Sequence, residues 1–171
     1  MTKPPPFPAD AEIDWPERFR PGTAPVHVRN AMWMNAPADT VWAWLVREPL
    51  WPTWYPNATN NWSKPGALHQ DLQSGSLFYW RTFGVTVTSQ VAEFLPGQRI
   101  AWTARGMGLD AYHAWLLIPA GGGCWVLTEE SQYGWGARLL NFLLPGRMSR
   151  GHKLWLKSLA IESCKGMPPE L

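Results

Sequence analysis

Charge is what this chain has least of. Only 16% of its 171 residues are charged, against roughly 25% in an average chain, and no run of lysine or arginine exceeds two residues. The net charge is +2 and the isoelectric point about 8.7. A nucleic-acid footprint needs clustered basic side chains, so that class of partner is excluded. Cysteine is scarce as well. Cys124 and Cys164 are far apart and match no metal spacing, which leaves them as small buried or half-buried hydrophobes. Long apolar runs are missing: AWLLIPA, among the longest, falls far short of the ~20 residues of a membrane-spanning helix. The opening MTKPPPFPADAEIDWPERF has no apolar core of a secretory leader, so the default expectation is a soluble protein in a reducing, cytoplasmic setting. There is no P-loop, G-x-G-x-x-G, nucleophile elbow or paired-cysteine motif. No two histidines share metal-ligand spacing on one element, and neither a metal nor a cofactor is expected.

What the chain has is aromatic surface, 13 tryptophans among it. Each carries a large apolar body with one polar N–H, suited equally to a core and to a pocket. Residues 1–25 hold seven prolines and read as an extended arm, either a disordered leader or a strap anchored by Phe7, Trp15 and Phe19. The domain proper spans 26–164, and 165–171 forms a C-terminal tail. VHVRNAMWMNA (26–36) reads as a strand. APADTVWAWLVRE reads as a helix, with Pro37 in its first turn, Asp39 near its positive end and one apolar stripe of Val41, Trp42, Leu45 and Val46. PLWPTWYPNA packs three prolines and three aromatics into ten residues, room for one short turn of helix. A weak strand lies somewhere in 57–75.

From 76 to 133, strand-like runs alternate with turn signals at FG, PG, GMG and GGG, the mark of an antiparallel meander. Because side chains alternate between faces, each turn fixes which residues share a face. A turn at Phe83-Gly84 pairs Trp80 with Val87 and Phe78 with Ser89. A turn at Pro96-Gly97 pairs Val91 with Trp102 and Ser89 with Ala104. Both assign the same inner face: Phe78, Trp80, Thr82, Val85, Val87, Ser89 and Val91. A GMG turn near residues 107–108 pairs Trp102 with His113 and turns His113, Trp115 and Leu117 inward; a slip of one residue would turn Tyr112 and Ala114 inward instead. The glycine loop 121–123 pairs His113 with Glu130, Trp115 with Thr128 and Leu117 with Val126, and points Glu129 the other way. With a strand rather than a helix after it, that loop is no phosphate cradle. Beyond it, ARLLNFLLPGRMSRGHKLWLKSLAIES is a helical pattern broken at Pro145-Gly146. The spacing predicts a short helix or turn over 136–144 and a main helix over about 147–164, with Met148, His152, Trp155 and Leu159 on one stripe.

The order of these segments resembles the START-like or SRPBCC helix-grip superfamily, including its polyketide cyclase/dehydrase group. The motifs that carry the resemblance are APADTVWAWL, WPTWYPNA, VTSQVAEFLPGQRIAW and HAWLLIPAGGGCWVLTEESQYG, the last ending in E-x-x-x-G from Glu130 to Gly134. The Pro-rich arm and the break at Pro145-Gly146 depart from the usual pattern. The resemblance implies an α+β helix-grip fold: a curved antiparallel sheet of about seven strands wraps a long C-terminal helix, short helices follow the first strand, and an internal cavity holds an apolar small molecule.

Three roles for the chain stay open at this stage. It binds or carries a hydrophobic, aromatic or lipid-like small molecule; or it is a polyketide cyclase/dehydratase-like enzyme; or it is a protein-interaction module, the role that its low charge favours least. The candidate ligand-binding residues are Phe78, Trp80, Val87, Ser89, Val91, Trp102, Trp115, Thr128, His152 and Trp155, and the same aromatics also suit a plain core. The candidate acid/base pair is His113 with Glu130, which serves equally as a ligand-recognition pair or a structural hydrogen bond. His152 on its apolar stripe reads as a satisfied core histidine, and His27 and His69 have no recognisable partner. Arg81 and Arg105 fall on the solvated outer face. Leu116, Ile118, Trp125 and Leu127 make an apolar outer patch that needs a cover, either the arm or a second copy in a homodimer.

Overall fold

The structure, a computed structural model, describes residues 4–62 and 70–170; His69 lies outside them. Seven strands form one antiparallel sheet in the order β1-β7-β6-β5-β4-β3-β2. They are β1 (Val26–Met34), β2 (Ala58–Trp62), β3 (Leu77–Thr82), β4 (Val85–Leu95), β5 (Arg99–Gly106), β6 (Leu109–Ala120) and β7 (Gly123–Tyr133). Helix α1 (Ala38–Val46) and the single turn α2 (Trp51–Trp54) separate β1 from β2, and α3 (Trp135–Leu143) and α4 (Arg147–Ser163) close the chain. This is the helix-grip α+β architecture: a curved sheet closed by a long C-terminal helix.

Three of the hairpins turn on two residues with positive φ: Phe83-Gly84 (51° and 78°), Met107-Gly108 (45° and 71°) and Gly121-Gly122 (52° and 83°). Such turns carry the twist that antiparallel strands need, and each allows one register. Trp80 therefore faces Val87, Trp102 faces His113, and His113 faces Glu130. The Pro96 turn differs from the sequence reading. Its loop is three residues long, so near the turn Leu95 pairs with Arg99 and Glu93 with Ala101. The register then shifts between Val91 and Glu93, which restores Val91 opposite Trp102. The extra residue in the loop and the bulge offset one another, so the inner face is unchanged.

The interior is filled largely with rings. Trp51, wholly buried in α2, lies 5.1 to 5.8 Å from Phe78, Trp80, Trp102 and Trp155. Tyr55 stacks on Trp155 at 4.4 Å. The Trp51 indole N–H is satisfied by the carbonyl of Leu45 at 3.0 Å, as a buried tryptophan requires.

On the convex face, Phe7, Ala11, Ile13, Trp15 and Phe19 of the arm pack against Tyr112, Ala114, Leu116, Ile118 and Leu127. Phe7 meets Trp125 edge-on at 5.3 Å, and the Trp125 N–H donates to the carbonyl of Pro5 at 3.0 Å. Arg29 ties the arm down by donating to the carbonyl of Ala11 at 2.7 Å and to Glu129. His27 does have partners, contrary to the sequence reading: Ser131 Oγ at 3.0 Å and Glu129 at 3.3 Å. Arg81 and Arg105 are exposed on the outer face, Arg105 paired with Asp110 at 3.3 Å.

Candidate functional site

Three elements bring three ionisable groups together. β6 supplies His113, β7 supplies Glu130 directly across from it, and α4 supplies His152. The Glu130 carboxylate accepts from His152 Nε2 at 3.1 Å and from the Gln132 amide at 2.7 Å, while His113 Nδ1 stands 3.5 Å away. The other nitrogen of His113, Nε2, is 2.7 Å from Thr128 Oγ1. One proton arrangement satisfies the His113 ring: Thr128 donates to Nε2, and His113 Nδ1–H points at the carboxylate. The sequence pairs His113 with Glu130 and treats His152 as a separate core histidine. In the folded chain His152 is the nearer of the two histidines to the carboxylate.

Burial holds the His113 imidazole well below its usual pKa; the charge of Glu130 opposes this and that of His152 adds to it. Burial also pushes Glu130 upward, yet the attraction of the two histidines and the hydrogen bonds from His152 and Gln132 bring it below the usual carboxylate range. The hydrogen bonds are the firmer cause, since desolvation disfavours the imidazolium that the attraction of His113 requires. The site therefore presents a buried carboxylate held by side-chain donors.

The donor atoms of His113, Glu130 and His152 lie within 4.8 Å of one another, close enough to hold a divalent ion. A metal on His152 Nε2 would leave the proton on Nδ1, and that buried atom has no partner among the described residues. Metal-bound imidazoles almost always donate that second N–H. The arrangement fits a hydrogen-bonded triad better than a metal centre.

The triad forms part of the wall of a mostly apolar cavity of about 90 Å³ between the sheet and α4. Of the residues expected to meet a ligand, Trp80, Val87, Trp102, His152 and Trp155 line it, together with His113 and Glu130. Phe78, Ser89, Val91, Trp115 and Thr128 are buried but lie outside the lining. Ser89 accepts the Trp80 N–H at 3.0 Å, and Thr128 holds His113. The indole N–H groups of Trp102 and Trp155 have no partner among the described residues.

The sequence reading missed the cover. Ala137, Leu140, Asn141 and Leu144, on and just beyond α3, line the cavity, as do Arg147, Met148 and Gln132. The signals were present: the α3 residues recur at helical spacing, and Gln132 lies two residues beyond Glu130 on the same strand face. The end of E-x-x-x-G places this cover. Gly134 has φ 100°, and a Cβ there would stand 2.0 Å from the carbonyl oxygen of Gly108. Gly136 N–H donates to that same oxygen at 3.2 Å. Only glycine lets the β5–β6 turn approach this closely.

The model of the family described as polyketide cyclase / dehydrase and lipid transport matches residues 25–160. The chain belongs to this family. Among solved structures, a hypothetical protein from Helicobacter pylori is similar with 29% identity and a TM-score of 0.82, over 92% of this chain and 99% of that one. A START superfamily protein from Mycobacterium smegmatis has 12% identity and a TM-score of 0.63, over 81% of this chain and 97% of that one. The Zhui aromatase/cyclase from a Streptomyces species has 15% identity and a TM-score of 0.61, over 82% and 94%. At such identities these last two show the SRPBCC/START-like fold alone. No curated protein matches the chain.

Proposed function

We propose that this family member binds a small, mostly apolar molecule that carries a hydrogen-bonding group, with His113, Glu130 and His152 receiving that group. The observation that carries this reading is a buried triad of one carboxylate and two imidazoles on the wall of a mostly apolar cavity. Few convergent polar groups on an apolar wall are the usual make-up of a small-molecule site. Glu130 suits a ligand donor.

Size narrows the ligand. About 90 Å³ is small beside the roughly 300–1,000 Å³ of sites that enclose drug-sized molecules. An extended polyketide chain exceeds that space. This favours binding of a compact ligand over polyketide cyclisation. The enzymatic reading keeps one specific support: a carboxylate between two imidazoles can pass a proton to or from a bound ligand. It would use His113 and Glu130 as the acid/base pair, on a compact substrate.

The test is a titration with phenols and short-chain acids of graded size, read by tryptophan fluorescence. Saturable quenching by the compact members, weakened in Glu130→Gln, is expected. Quenching by none of them, or equal binding by Glu130→Gln and His113→Ala, would sink the reading.

A further inference from the structure

α3 is apolar on two sides, and only one of them is used. Ala137, Leu140 and Leu144 face the cavity. On other positions of the same segment Trp135 is 68% exposed, Phe142 81% and Leu143 59%, with Leu139 exposed as well. A helix whose apolar arc is wider than the face it buries ordinarily has a second apolar environment. Met107, in the turn that clasps the start of α3, is 69% exposed and extends the patch.

The segment that forms this patch and runs on into α4 carries charge of one sign. Between Glu130 and Glu162 the chain carries five cations, Arg138, Arg147, Arg150, Lys153 and Lys157, and no carboxylate. None of the five is ion-paired among the described residues. Arg138 lies on α3 itself, and Arg150 reaches the α3–α4 junction by donating to the carbonyl of Pro145 at 3.2 Å. Asp110, in the neighbouring strand β6, is already taken by Arg18 and Arg105.

We infer that α3 and the 144–150 junction form a docking surface for an anionic lipid bilayer. An exposed apolar helix face flanked by cations is what the boundary between headgroups and acyl chains accepts. A second copy of this chain fits less well. A twofold interface apposes a patch to itself, and here that would set Arg138 and Arg150 of one protomer against the same cations of the other, with no acid to pair them. The helix that rests on the bilayer is also the cover of the cavity, so a ligand dissolved in the membrane would meet the cavity mouth directly. The inference rests on residues outside the ligand triad and stands whether or not the cavity binds the compact ligand proposed above.

Co-sedimentation of the full chain with phosphatidylcholine vesicles, and with phosphatidylcholine vesicles containing phosphatidylglycerol, decides it. Binding to the anionic vesicles alone is expected, falling as salt rises. Arg138→Gln should weaken it roughly fivefold and Phe142→Ser on the order of tenfold. Leu139→Ser is a second outer-face variant should Phe142→Ser fail to fold by circular dichroism. Wild-type protein left in the supernatant with anionic vesicles overturns the inference, and so does a dimer in sedimentation equilibrium that Phe142→Ser dissolves. Failure here with fluorescence quenching intact removes the docking surface and leaves the cavity reading standing.

Discussion

His152 Nε2 lies 3.1 Å from Glu130 Oε2, so the C-terminal helix and the sheet are joined at the cavity by a hydrogen bond to a buried carboxylate. Removing the acceptor strands donors from both sides. Glu130→Ala leaves the N–H groups of His152 and Gln132 unpaired and should cost about 3 kcal/mol or more in chemical denaturation. A loss below about 1 kcal/mol would mean that water replaces the carboxylate at no cost.

Acidity should act through the same triad. His113 is held below its ordinary value of 6.5, so the unfolded chain takes up this proton first. The contribution of His113 to stability is complete above pH 6.5 and is lost as pH falls below it. Glu130, held below its ordinary 4.5, adds a loss in the same direction below pH 4.5. Glu48 works the opposite way: burial raises it to about 7, so its contribution is present at low pH and is lost as pH rises through that value. The measurement is therefore the difference in Tm between wild type and His113→Gln, in which Glu48 cancels; Glu130, which His113 helps to hold low, enters only below its ordinary 4.5. That difference should be largest at pH 7 and shrink towards pH 4; a constant difference would contradict the account.

Gly134→Ala should be severe. The positive φ and the backbone oxygen of Gly108, 2.0 Å from the added Cβ, leave nothing flexible to yield. A loss of about 3 kcal/mol or more in urea unfolding is expected. Gly121→Ala, at a φ of 52° with open space around it, should cost only about 1 kcal/mol.

The arm should contribute as core does. Phe19 is buried against Tyr112, with ring centroids 5.5 Å apart, and Phe19→Ala should cost roughly 3 kcal/mol in thermal or urea unfolding. A neutral result would mean that the arm merely rests on the sheet.

How much of this was legible depended on what joined the residues. The pairing of His113 with Glu130 could be read because one short turn connects their strands and its glycines allow one register. The partners of His27 could not. β1 meets β7 across a long separation, 104 residues between His27 and Ser131, with Val28 opposite Glu130, and no turn ties the two. His152 was legible as an inward-facing residue of α4, but the rotation of a helix against a sheet is set by packing and not by periodicity. The small cavity was hidden for the same reason. Trp51 and Tyr55 lie in a proline-rich stretch with no clear pattern, and only the folded chain shows their rings packed against Trp155.

The central claim is that the cavity holds a compact polar-ended ligand at the triad. Native mass spectrometry of the freshly purified full chain, before and after incubation with the graded phenols and acids, tests it most directly. The account predicts a single non-covalent adduct of low mass, absent from a folded Ala104→Trp variant whose indole fills the cavity. Apo mass alone under all these conditions, or an adduct that Ala104→Trp retains, would contradict it.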